Sequence, residues 1–147
     1  MKLPYTIKST DYDICINNAG ISTDCHPYIE VFQLNKDDGE KNGLSFTCSI
    51  IKQRYAYAIC PWWIEIYING KALDLCYNFE NKDNENPKLI RVYNNGIEKT
   101  KSEELMEYKT EANFYYKKAR DIMKKVLESK EDLVRSCFGL GKTANII

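Results

Sequence analysis

The chain has no excess of either charge: Lys plus Arg number 21 and Asp plus Glu number 21 in 147 residues. Bulk electrostatic binding to nucleic acid needs a basic surface that neutralises phosphates, and this balance argues against it. Histidine occurs once, as His26. That excludes histidine-rich metal sites and leaves a hydrolytic dyad without a second imidazole. No apolar run approaches the roughly 20 residues of a membrane-crossing helix. Met1-Lys2 is followed by no apolar stretch of the kind a secretory signal carries. The six cysteines, Cys15, Cys25, Cys48, Cys60, Cys76 and Cys137, form no C-x-x-C pair, so neither a zinc nor a redox motif is supported. The expectation is a cytoplasmic protein with reduced thiols rather than three disulfides.

What is present is ordinary globular material. Hydrophobic residues make up 44% and charged residues 29%, which excludes wholesale disorder. One core typically serves about 100–200 residues, so a single domain over 1–147 is expected. Lys outnumbers Arg 17 to 4, and Asn, Ile and Tyr are plentiful. Such usage follows from A+T-rich codons and points to a microbe, phage or virus.

The hydrophobic period changes from about two to about 3.6 near residue 100, the primary secondary-structure signal. Residues 1–100 read as sheet, 101–138 as helix and 139–147 as a flexible tail. The clearest local signal lies between Trp62 and Phe79, where Asn69-Gly70 separates two alternating runs. Asn-Gly favours a two-residue hairpin turn because both residues must take positive φ. A regular ladder from that turn opposes Ile66 to Leu73, Ile64 to Leu75 and Trp62 to Tyr77 on an apolar face. It opposes Tyr67 to Ala72, Glu65 to Asp74 and Trp63 to Cys76 on the other face. Further strands are expected at 12–16, 28–34 and 44–50. Residues 55–59 are ambiguous between strand and helix, and Pro61 separates them from the Trp pair. Residues 89–93 and 97–100 suit a second hairpin around Asn94-Asn95-Gly96.

Thr100 and Glu103 match a capping box at a helix start. The apolar stripe Leu105, Tyr108, Ala112, Tyr115, Ala119, Ile122 and Val126 steps by three and four, and Met106, Tyr116, Met123 and Leu127 widen it. That is a core-facing helix. Ser129 and Asp132 would cap a short second helix ending before Gly139. The expected fold is α+β: an antiparallel, meander-like sheet of five or six strands packed on a long C-terminal helix.

Several constellations bear on function. Like charges opposed on a sheet are destabilising by up to about 1 kcal/mol, so a Glu65–Asp74 pair invites a reason. Opposed Cβ atoms sit roughly 5 Å apart, a spacing compatible with paired-carboxylate catalysis. The same face carries Trp63 and Tyr67, residue types enriched at binding hot spots. Cys25-His26 is poorly set as a nucleophile pair, because adjacent residues of an extended strand point to opposite faces. Residues 138–143 (Phe-Gly-Leu-Gly-Lys-Thr) echo a phosphate loop. Ser136 stands where the pattern needs its first Gly, and too little chain follows for the helix. Lys117, Lys118, Arg120, Lys124 and Lys125 form a basic run that would contact phosphates, with Phe114, Tyr115 and Tyr116 as stacking groups. Its plainer reading is an exposed helix face.

These residues support a non-catalytic intracellular binding protein first: a small inhibitor, immunity protein or phage-type antagonist. It would engage a protein partner through Trp63, Glu65, Tyr67 and Asp74. The alternatives are a nucleic-acid binder using the basic helix, and a small enzyme using Glu65 and Asp74 or a cysteine. A homodimer through the helix is a further possibility. No metal and no cofactor is expected, and no membrane contact.

Overall fold

The computed structural model describes residues 3–8, 11–21, 27–35, 42–52, 57–80 and 87–129. Eight strands precede two helices: β1 (Tyr5–Lys8), β2 (Tyr12–Ile21), β3 (Pro27–Asn35), β4 (Gly43–Lys52), β5 (Tyr57–Ile68), β6 (Lys71–Phe79), β7 (Leu89–Asn94), β8 (Ile97–Lys99), α1 (Ser102–Met106) and α2 (Lys109–Ser129). The strands form one sheet in chain order, every neighbouring pair antiparallel. The α+β class and the meander are as expected, but the sheet has eight strands rather than five or six. The hairpin of β7 and β8 joins the same sheet, and β1 adds an edge strand whose four residues are too short for a clear periodic signal.

Both Asn-Gly turns form. Asn69 and Gly70 take φ of 54° and 77°, and Asn95 and Gly96 take 52° and 77°. Positive φ at both central residues is the type I′ geometry, whose twist matches that of the flanking strands. Pro61 does not separate two segments, as expected from sequence; β5 runs through it without a break. The reason is a bulge: Thr47 pairs with Trp63 and Cys48 with Pro61, leaving Trp62 as the extra residue. A proline has no N–H for the ladder, and a bulge is one of the few places in a sheet that accepts it.

The expected register of β5 against β6 holds only at the turn. Ile68 pairs with Lys71 and Tyr67 with Ala72; beyond that, Glu65 pairs with Cys76, Ile64 with Tyr77 and Trp63 with Asn78. The sequence-based pairs Glu65–Asp74, Ile64–Leu75 and Trp63–Cys76 are therefore incorrect. β6 carries two extra residues between the two registers. A slip of two leaves every side chain on its original face, whereas a slip of one would exchange the faces. The slip removes the like-charge pairing and sets Tyr77, rather than Leu75, opposite Ile64 in the core. The backbone N–H of Asn95 donates to the Asp74 carbonyl at 2.8 Å, so the β7–β8 turn braces the irregular stretch.

Strand alternation sorts the sheet into two faces. One row of paired residues runs Tyr5, Ile16, Val31, Phe46, Ile64, Tyr77, Val92 and Lys99 across all eight strands. From Ile16 to Val92 these side chains are fully buried. They meet α2 through Ala112, Tyr116, Ala119, Ile122, Met123 and Val126. Small Ala112 and Ala119 let the helix approach the sheet closely.

The contacts of the helix run across the sheet from β7 to β2. The Asn94 side-chain amide of β7 donates to the Tyr108 hydroxyl at 3.0 Å. Tyr115 stacks on Tyr77 of β6, with ring centroids 6.1 Å apart, and Tyr116 tilts against Phe79 at 4.7 Å. Lys125 Nζ sits 5.1 Å from the centroid of the Tyr12 ring on β2.

Helical details differ from expectation. The helix starts at Ser102, with Lys101 in the capping position. The Lys101 N–H donates to Glu104 Oε1 at 3.3 Å, so the motif lies one residue beyond Thr100 and Glu103. A lysine side chain accepts no hydrogen bond, so only the carboxylate half of a capping box forms. The helix also breaks at Glu107–Tyr108. Met106, expected to widen the buried stripe, is 73% exposed, while Tyr116 is among the deepest helix residues. The short second helix and the 139–147 tail lie outside the described residues.

Candidate functional site

The sheet face opposite the helix carries the residues singled out from sequence. Its central row runs Thr6, Cys15, Phe32, Ser45, Glu65, Cys76, Tyr93 and Glu98 across all eight strands. The neighbouring row is Asn18, Glu30, Thr47, Trp63, Asn78 and Arg91. Trp63, Glu65 and Tyr67 are each half-buried on β5, and Asp74 is exposed at the irregular stretch of β6.

Trp63 is held by two contacts. Its indole N–H donates to Glu65 Oε1 at 2.9 Å, and its ring lies 5.6 Å from that of Tyr93 at a 45° tilt. Glu65 thereby turns one carboxylate oxygen toward its own strand neighbour. Tyr67 takes a separate position, edge-on to Phe32 with centroids 4.8 Å apart and planes at 80°. These geometries fall in the range where aromatic pairs add about 0.5–1.5 kcal/mol beyond simple burial. Arg91 closes the far side with an exposed ion pair to Glu98 at 3.5 Å, and it hydrogen-bonds to Tyr93. The face is aromatic at its centre, with the exposed or half-exposed carboxylates of Glu30, Glu65, Asp74 and Glu98 and the Arg91 guanidinium among its polar groups.

Cys76 sits between Glu65 and Tyr93 in the ladder. Burial, then the nearby Glu65 and Asp74 carboxylates, push its thiol up to about 11. A thiol so shifted is protonated near neutrality and is a poor nucleophile. Burial pushes Cys48 well up as well. Among the described residues no disulfide joins Cys15, Cys48, Cys60 and Cys76. Cys25 and His26, and the phosphate-loop echo at 138–143, lie outside the described residues.

The structure brings Trp63 and Glu65 together, places Tyr67 a little apart against Phe32, and denies Glu65 and Asp74 the opposed geometry on which paired-carboxylate chemistry rested. Sequence reasoning placed Cys76 on this face but opposite the wrong residue, and it missed Phe32, Tyr93, Arg91 and Glu98. The alternation of Arg91 and Tyr93 on one side of β7 was a usable signal. Joining it to Trp63 required the register.

In the basic run Lys117, Lys124 and Lys125 are exposed, and Lys118 and Arg120 are half-buried. Lys125 lies over Tyr12, and Arg120 lies within electrostatic reach of buried Cys48 and Tyr116. Of the three stacking groups, Tyr116 is buried and Tyr115 stacks on Tyr77, leaving Phe114 exposed. The helix stripe expected to offer a dimer seam is covered by the chain's own sheet. Among the described residues no helix is long and apolar enough to cross a membrane. Compared with known proteins, the chain matches no family model, no curated protein and no solved structure.

Proposed function

We propose that this chain is a non-catalytic binding protein whose sheet face opposite α2 docks a protein partner presenting basic side chains. The role fits a small inhibitor, an immunity protein or a phage-type antagonist. The observation that carries the reading is the Trp63–Glu65–Tyr93 assembly. An indole is fixed by a carboxylate and a second ring before any partner arrives, so little side-chain freedom is lost on docking. Large, rigid aromatic groups at the centre of a patch are the side chains that dominate binding energy. Glu65, Asp74 and Glu98 around them would select a basic partner and raise its association rate.

The test begins with affinity capture by the full chain and identification of the retained protein by mass spectrometry. Its affinity is then measured for the wild type and for Trp63→Ala, Tyr67→Ala and Glu65→Lys. The expected result is a loss of at least about thirtyfold for Trp63→Ala, the level of a hot-spot residue, with the fold retained by circular dichroism. Unchanged affinity in all three variants overturns the assignment of this face.

A further inference from the structure

The proposed docking face holds one carboxylate oxygen that its own chain leaves unused. Glu65 Oε1 accepts the Trp63 indole N–H at 2.9 Å, which sets the carboxylate at the edge of the ring. Among the described residues Glu65 Oε2 accepts no hydrogen bond, and Glu65 forms no ion pair. Arg91, the cation of the adjoining row, is already engaged by Glu98 at 3.5 Å and by Tyr93. Cys76, paired with Glu65 in the ladder, feels the result. Burial, then the Glu65 and Asp74 carboxylates, push its thiol up to about 11, and no cation among the described residues opposes that rise. The negative charge at the centre of this face therefore lacks a counter-charge. The Trp63 ring beside it is fixed against Tyr93, and both rings are half-buried, so part of each stays open to solvent.

An indole is the aromatic ring that attracts cations best. A cation that serves both the ring and the carboxylate needs a flat face for one and an N–H for the other. A guanidinium has both: it is planar, weakly hydrated, and carries its donors at its rim. An ammonium is a compact, strongly hydrated point charge that cannot stack. We infer that the anchor on the partner is an arginine whose guanidinium stacks on Trp63 and donates to Glu65 Oε2. The inference rests on the docking reading above and adds the side chain that this face reads. The indole hydrogen bond holds the carboxylate in place beforehand, so little freedom is lost when the guanidinium arrives.

The probe is a library of short random peptides displayed on phage, selected on the immobilised full-length protein. The enriched peptides are expected to share one arginine. The tightest of them, titrated by calorimetry, should weaken about tenfold when that arginine becomes lysine, because the stacked, charge-assisted geometry is lost. Glu65→Gln keeps an oxygen for the indole N–H and removes only the charge, and it should also cost about tenfold. Trp63→Ala should cost at least about thirtyfold. Lys117→Ala, exposed on α2, should leave the affinity unchanged. Circular dichroism checks that each variant keeps the fold. Peptides without a shared arginine, lysine bound as tightly, affinity indifferent to Glu65→Gln, or a library that enriches no peptide would overturn the inference. If arginine-free peptides still lose affinity with Trp63→Ala, the docking face stands and the arginine alone is struck out. If Trp63→Ala leaves the selected peptides unaffected, both readings fall.

Discussion

The two faces of this sheet use the same strands and differ only by a one-residue offset. On one face, Ile16, Val31, Phe46, Ile64, Tyr77 and Val92 are sealed beneath α2. On the other, Cys15, Phe32, Ser45, Glu65, Cys76 and Tyr93 occupy the equivalent row and remain half-buried. The backbone bonds are shared, so the difference in energetics lies in the side chains. The covered face supplies stability through packing. The face opposite α2 supplies a fixed arrangement of rings and carboxylates that this helix does not use.

Truncation should separate the faces most sharply. Phe46→Ala is expected to cost about 3–5 kcal/mol, the range for a large buried aromatic. Phe32→Ala, edge-on to Tyr67 at the half-buried surface, should cost about 1–2 kcal/mol. Urea denaturation of the two variants measures both, and equal costs would erase the distinction between the faces. Binding should show the reverse order: Trp63→Ala should weaken a captured partner by about 2 kcal/mol or more. A polar change of similar size on the helix, Lys117→Ala, should leave that affinity unaltered.

Alkaline pH tests the face opposite α2 through one atom. The Cys76 thiol is held up to about 11, against 9.0 for an unperturbed cysteine. Between those values the unfolded chain gives up a proton that the folded chain retains. The stability contributed by the neutral thiol is complete below about pH 9 and is lost as pH rises toward 11. Burial moves Cys48, Tyr77 and Tyr116 in the same direction, so the wild type should weaken steadily in base. Cys76→Ser should decline less steeply from pH 9 to 11, as read from urea midpoints. An identical slope would show that burial and the Glu65 and Asp74 carboxylates do not hold the thiol up.

The smallest effects belong to the two turns. Gly70→Ala places a Cβ at a φ of 77° and should cost about 1–2 kcal/mol. Gly96→Ala has the same φ with open space around the added carbon, so backbone strain alone should set a similar cost. A thermal melt of each checks the equality. A larger loss for Gly70→Ala would mean that the register slip beyond this turn depends on the turn's geometry.

Much of this was legible from the residues. Asn69-Gly70 and Asn95-Gly96 announced their turns because positive φ is a local steric demand. The alternation of Trp63, Glu65 and Tyr67 against Ile64 and Ile66 assigned their faces correctly, and a slip of two residues could not disturb that. The site was only partly legible. Asp74 was misplaced opposite Glu65, because nothing in the local pattern marks two extra residues in β6. Tyr93 was overlooked because its neighbour Cys76 is known only once the register is known. The helix was recognised, but its buried stripe turned toward Tyr116 because Phe79 and Cys60 offer a place for that ring.

Short-range physics therefore settled the turns, the period of each segment and the face on which each strand residue lies. These depend on φ preferences and on side-chain spacing along one segment. Tertiary packing decided the register of β6, the passage of β5 through Pro61, the break at Glu107–Tyr108 and the aromatic company of Trp63. Each of those is a choice among local arrangements of similar cost, and contacts between residues far apart in the chain make the difference.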